Sequence, residues 1–206
     1  MYQICTAADA TDAYKSYLNR SSKARKNGSF PADTLEAIDA EMSETLPTLR
    51  LFGEGGPMRN DLRELLCAWV VARSDDGLGY VSCTSWVDIV LTSQTPGISH
   101  IAAMLLINMP IAQAFLSLRN FLDRPVLRSF YCNVQDEIDA YYRVFENLQA
   151  DLFPTIYANC KHVGARIPES YFRSVLLEQL PFEVCCRLWD QVSSRCITVI
   201  ADDRFC

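Results

Sequence analysis

Histidine is nearly absent from this sequence: His100 and His162 stand far apart, and neither has a cysteine or acidic neighbour at ligand spacing. A zinc site is therefore not expected, nor any other metal. Paired cysteine motifs are missing too. The chain has nine cysteines, an odd count with no CxxC pair, and several fall inside apolar helical runs. That pattern fits buried free thiols rather than a disulfide framework. No glycine-rich phosphate loop is present, because the GEGGP stretch at Gly53–Pro57 lacks the Lys-Ser/Thr that should follow it. No serine or cysteine nucleophile comes with a histidine partner. An independent enzyme is not expected, and no cofactor.

Long apolar runs are also lacking. The longest, Ile101 to Ile107, is far too short to cross a bilayer. The opening MYQICTAADATDAYKSYL is polar and has no secretory core run. The sequence thus predicts a soluble, cytoplasmic chain without a transmembrane segment. A basic surplus is missing as well: the formal net charge is −6, which excludes a general phosphate-backbone binder, so no nucleic-acid partner is expected. The one basic cluster, Arg20, Lys23, Arg25 and Lys26, reads as a solvated helix end, with contact to a membrane or a GTPase as the alternative.

What is present is helical periodicity. Hydrophobic residues make up 50% and charged residues 21% of 206 positions, enough for one domain with a sizeable core. From Arg59 to Val71, Leu62, Leu65, Leu66, Trp69 and Val70 recur on one helix face. Ile138, Tyr141, Tyr142, Phe145 and Leu148 form a second inward stripe, with Asp136 and Glu137 placed well near its positive N-terminus. A third helix is predicted from Pro168, with Tyr171, Phe172, Val175, Leu176 and Leu180 facing inward. Pro181 ends it, and a short helix runs on to Trp189. Breaks fall at Lys26–Pro31, Gly53–Pro57, Ser74–Gly77, Arg124–Pro125 and Gly164–Pro168. The exception is Val81 to Gln94, VSCTSWVDIVLTSQ, whose β-branched content suits a strand that has no partner in a helical chain.

Several blocks occur in a particular order. IDAEMSETLP spans Ile38 to Pro47, and LGY spans Leu78 to Tyr80. From Ile98 the chain reads ISHIAAMLLINMPIAQAFLSLRNFL, then IPESYFRSVLLEQLPFEVCCRLWD up to Asp190. Over roughly Tyr14 to Gln191 this order resembles the TBC domain family of Rab GTPase-activating proteins. The resemblance implies an all-α, irregular multi-helix domain occupying 1–206 as a single but partial unit. It implies a Rab-like small GTPase as partner, regulation of membrane traffic, and peripheral association with endomembranes through that GTPase.

The resemblance also assigns two catalytic fingers. The first follows I-x-x-D-x-x-R and then a T-x-P-like segment. Here Ile38 matches, Glu41 stands at the aspartate position, Glu44 replaces the arginine, and Thr45-Leu46-Pro47 resumes the pattern. The second follows G-Y-x-Q-G. Gly79 and Tyr80 match its start, and Gly97-Ile98-Ser99 its continuation. Family spacing returns if 81–94 is removed as an insertion, which places Pro96 at the glutamine position. Val81-Ser82 can be encoded by GTGAGT and Gln94 by CAG, so 81–94 reads as a translated intron, and 192–206 as a non-family tail of similar origin. Genomic sequence without GT and AG boundaries there would refute this. Neither finger keeps its catalytic side chain, so the expected role is GTPase-directed without intact catalysis. The alternatives are a noncatalytic scaffold or a truncated product without function. Asp190, of the Trp189-Asp190 pair, is expected to tie down a helix end.

Overall fold

The computed structural model describes residues 7–75 and 97–201, with side chains for 10–73 and 97–191. Tyr80, Pro96 and the 81–94 insertion lie outside the described residues, as do the side chains of the 192–206 tail. Among the described residues there are ten α-helices and no strand, so the fold is all-α.

The longest-range packing starts at the N-terminal end. Helix α1 (Ala7–Lys26) lies on α3 (Arg59–Asp75) and α5 (Ile111–Leu122), with the Tyr14 and Tyr17 rings 5.5 and 5.7 Å from Phe115. Aromatic pairs at this separation add to simple area burial. In α3 the predicted stripe is buried, with Leu62, Leu65, Leu66 and Trp69 turned inward and Val70 half-buried. Helix α4 (Ile98–Asn108) is the central element. It is apolar nearly all round and buried along most of its length, as a helix with no solvent face must be. Met109 and Pro110 stop it, and Asn108 donates its side-chain amide to the Met104 carbonyl at 2.7 Å. Helix α2 (Ala32–Glu44) then bridges α3 and α4.

A second, smaller core sits beyond α5. Helix α6 (Pro125–Tyr131) begins at a proline, whose missing N–H costs nothing in a first turn. Its Phe130 packs with Ile138 and Tyr142 of α7 (Gln135–Leu152), and with Phe172 at a 5.1 Å ring separation. Asp136 and Glu137 do occupy the first turn of α7. Helix α8 (Pro154–Val163) folds back on α7 and ends at Gly164, whose φ of 66° is the left-handed stop that glycine accepts.

Three expectations are corrected. Leu148 does not face a core; it is exposed. The helix predicted from Pro168 is only one turn, α9 (Glu169–Arg173), because Tyr131 donates to the Arg173 carbonyl at 2.6 Å and diverts the chain. Val175 and Leu176 then adopt left-handed φ values of 49° and 65°. For branched side chains that is costly, about 1–2 kcal/mol each, and tertiary packing of Leu177 and Val175 on the main core offsets it. Finally, α10 (Phe182–Ala201) runs well past Trp189.

Candidate functional site

Helix α2 carries the segment that the resemblance assigns to the first finger, and its inward face explains its register. Thr34, Ile38 and Met42 recur every fourth residue and are all buried, so Ile38 is a packing residue. Two arginines of α3 fix the helix from the other side. Arg59 donates to the Phe52 carbonyl at 3.0 Å and approaches the Asp39 carbonyl, while Arg63 pairs with the Asp39 carboxylate. Arg59 is therefore engaged in holding the backbone and is not poised as a replacement finger. Arg50 is exposed, at a left-handed φ of 54° after the short 3-10 turn Pro47–Leu49.

Glu41 sits half-buried and reaches across to the start of α4. Its Oε1 accepts from the Gly97 N–H at 3.1 Å, the Ser99 N–H at 3.4 Å and the Ser99 hydroxyl at 2.8 Å. No side chain of α4 caps its own N-terminus. A carboxylate from a neighbouring helix supplies the acceptor that those orphan N–H groups and the helix dipole require. Thr45 Oγ1 lies 2.8 Å from both the Glu41 carbonyl and Ser99 Oγ, and has one proton to share between them. Gly97 has a φ of 142°, and a Cβ there would meet the backbone of Arg173 and Ser174 at 3.2 Å. Only glycine fits that conformation at that distance.

Behind this contact lies a buried polar group. The His100 imidazole turns its Nδ1 toward Ser99 Oγ at 3.5 Å and Glu178 Oε1 at 3.7 Å. Burial pushes His100 down to about 4, partly opposed by the Glu44 carbonyl. The ring is therefore neutral near neutral pH, and its approach to Glu178 is no ion pair there. Glu178 is pushed up, first by burial and then by the nearby Glu41 charge. Tyr131 is fully buried and its phenol is held well above its ordinary range, chiefly by burial. Arg173 closes the group, donating to Asn133 at 2.6 Å and Glu169 at 3.1 Å.

Glu44 ends α2 and is exposed, and the next residue, Thr45, is tied to the Glu41 carbonyl and to Ser99. The fold thus fixes the backbone at the finger position and leaves the side chain facing out. Of the predicted finger positions, Glu41 is brought onto Gly97 and Ser99, Ile38 packs inward and Glu44 faces out. Sequence reasoning missed the part played by His100, Glu178, Tyr131 and Arg173. Its only signal was Ser99-His100, two polar residues at the head of an apolar run. Trp189 packs its ring 5.5 Å from Phe121 and is buried. Asp190, by contrast, is exposed in the middle of α10, beside a recess of about 170 Å³ shared with Met104, Asn108 and Met109, so it does not tie down an end of its own helix. Among the described residues no three His, Cys, Asp or Glu side chains converge to hold a metal, and no helix is long and apolar enough to cross a membrane.

Comparison with known proteins places this geometry. A model of the Rab-GTPase-TBC domain family matches residues 1–200. The chain is 29% identical to TBC1 domain family member 14 of Bos taurus over 199 residues, covering 92% of this chain and 26% of that protein. It is 29% identical to TBC1 domain family member 12 of Rattus norvegicus over 197 residues, again 92% and 26%. It is also 29% identical to Drainin of Dictyostelium discoideum over 155 residues, 74% of this chain and 32% of Drainin. The chain therefore spans about a quarter to a third of the length of these relatives.

Proposed function

Because the chain belongs to the Rab-GTPase-TBC domain family, we propose that it engages a Rab-like small GTPase in membrane traffic without accelerating its hydrolysis of GTP. The observation that carries this reading is the exposed Glu44 at the end of a helix that Glu41 and Thr45 tie to the start of α4. Hydrolysis builds negative charge as the γ-phosphoryl group leaves, and an activator stabilises it with a cation. A trans arginine is worth on the order of 10³–10⁵ in rate. A carboxylate at that position repels the phosphate oxygens instead. Pro96, at the glutamine position, has neither an amide side chain nor a backbone N–H with which to orient water. Glu41 still ties the first finger to the start of α4, which supports retention of a GTPase-facing surface.

Single-turnover GTP hydrolysis across a panel of Rab proteins, run beside binding to the GTP-loaded forms, tests this. The expected result is binding to at least one Rab with hydrolysis no faster than the Rab alone. Glu44→Arg alone should recover little, because the two fingers act on one transition state. Glu44→Arg with Pro96→Gln, in a chain lacking 81–94, should recover most. Hydrolysis by the unaltered chain well above the Rab alone overturns the loss of catalysis and points to Arg50. Failure to bind any Rab leaves the alternative, a product without stable function of its own. The exposed apolar side chains of α7 and α8 favour that alternative.

A further inference from the structure

We propose that the outward face of α1 docks on an anionic membrane surface. The inward face of this helix is occupied: Ala10, Tyr14 and Ser21 are buried, and Tyr14 and Tyr17 pack on Phe115. Lys15, Asn19, Lys23 and Lys26 follow at spacings of four, four and three, so they form one line along the opposite side. All four are exposed. At 1.5 Å per residue the line is roughly 16 Å long. Arg20, also exposed, lies beside it with its guanidinium 5.9 Å from the Tyr17 ring.

The charge of this face is at odds with the rest of the chain. Residues 13–32 contain five Lys or Arg and no Asp or Glu, and the only exposed carboxylate of the described α1 side chains, Asp12, lies at the N-terminal end of the line, one turn before Lys15. Taking that +5 from the total of −6 leaves −11 for all other residues. Four basic side chains on one face of an amphipathic helix are the number at which anionic lipid is recognised, each adding about a factor of five near the surface. The shape of the face selects the occupant. A protein partner needs a buried anchor seated in a pocket, and this face is one convex helix. The recesses lie elsewhere, beside Trp189 and between α7 and α8. Three of the four cations are lysines, point charges suited to a diffuse field rather than to paired recognition of one group. No apolar side chain lies along the line, so the contact is peripheral and electrostatic, and screened by salt.

Sedimentation of the full chain with phosphatidylcholine vesicles, with and without phosphatidylserine, tests the proposal. The expected result is partitioning on the order of several hundredfold stronger to the phosphatidylserine vesicles at low salt, lost at high salt. Lys15→Glu/Lys23→Glu/Lys26→Glu should abolish the preference, while Arg50→Glu/Arg143→Glu/Arg187→Glu, an equal change of charge at exposed positions elsewhere, should keep most of it. If the first variant loses its helical circular dichroism, the Lys→Gln version of the same three carries the test, with a loss of about a hundredfold. Equal binding to both vesicle types, or equal loss in both triple variants, overturns the proposal. So does binding to polyglutamate without binding to vesicles, which would assign the face to an acidic protein.

Discussion

The junction of α2 with α4 and the hairpin of α7 with α8 are each built from a pair of helices bearing apolar side chains, yet they end in opposite states. At the junction, Ile38 and Met42 are buried and the polar groups between the helices are tied across the chain by Glu41, Thr45 and Ser99. On the hairpin, Val144, Leu148, Leu152, Phe153, Ile156 and Val163 stand in solvent, Val163 at 71% of full exposure. The hairpin's polar ties are surface ones, Lys161 to Glu146 at 3.0 Å and Arg166 to Asp139 at 3.6 Å. Such pairs contribute little. The difference teaches that an apolar stripe states what a helix is able to bury, while the element lying opposite decides whether it does.

The most severe way to break the junction is Gly97→Ala. The residue would be forced into a backbone region closed to L side chains, with its Cβ 3.2 Å from the Arg173 carbonyl. Strain and overpacking together should cost about 3–5 kcal/mol, read as a fall in the urea midpoint with an unchanged slope.

Acid should break the junction next. Burial holds His100 at about 4 against an ordinary 6.5. The folded state resists protonation, so stability present above pH 6.5 drains away as pH falls toward 4, by up to about 3 kcal/mol. Glu178 works in the opposite sense. Its pKa is raised, so its contribution is present below the ordinary carboxylate value and is lost as pH rises. His100→Gln should flatten the acid limb in denaturant titrations run between these pH values. An unaltered limb would remove His100 as its source.

A finer cut compares one carboxylate from each region. Glu41→Ala leaves the Gly97 and Ser99 N–H groups without their acceptor and should cost about 1–3 kcal/mol. Glu146→Ala removes only an exposed bond to Lys161 and should leave the thermal midpoint where it was.

The last comparison stays within the hairpin. Leu148→Ser with Leu152→Ser should change stability by no more than about 0.5 kcal/mol, since neither side chain is covered. It should also reduce light scattering at high concentration, because a contiguous exposed apolar patch promotes association. A large loss of stability would mean that the hairpin is buried against something in solution.

How far the sequence could be read follows from the same contrast. The start and inward face of α3, the acidic first turn of α7 and the place of Ile38 were legible, because period and capping are local signals. Leu148 was misread as inward because its spacing matched Tyr141 and Phe145, and spacing carries no information about what lies opposite. The left-handed Val175 and Leu176 were out of reach, since they depend on Tyr131, more than forty positions upstream, capturing the Arg173 carbonyl. Asp190 was misplaced because its helix continues to Ala201. At the candidate site, Glu44 was visible as a change of charge. The cap that Glu41 provides required two helices to be brought together.

The Glu41–Ser99 bond joins residues 58 positions apart, while the Lys161–Glu146 bond joins residues 15 apart. Ring closure costs less for the shorter loop. In refolding of the whole chain, the apolar hairpin is therefore expected to close before α2 is tied to α4, an order read by hydrogen-exchange protection of the two regions. The setting of Glu44 thus rests on two segments far apart in the sequence, while the hairpin rests on neighbours alone.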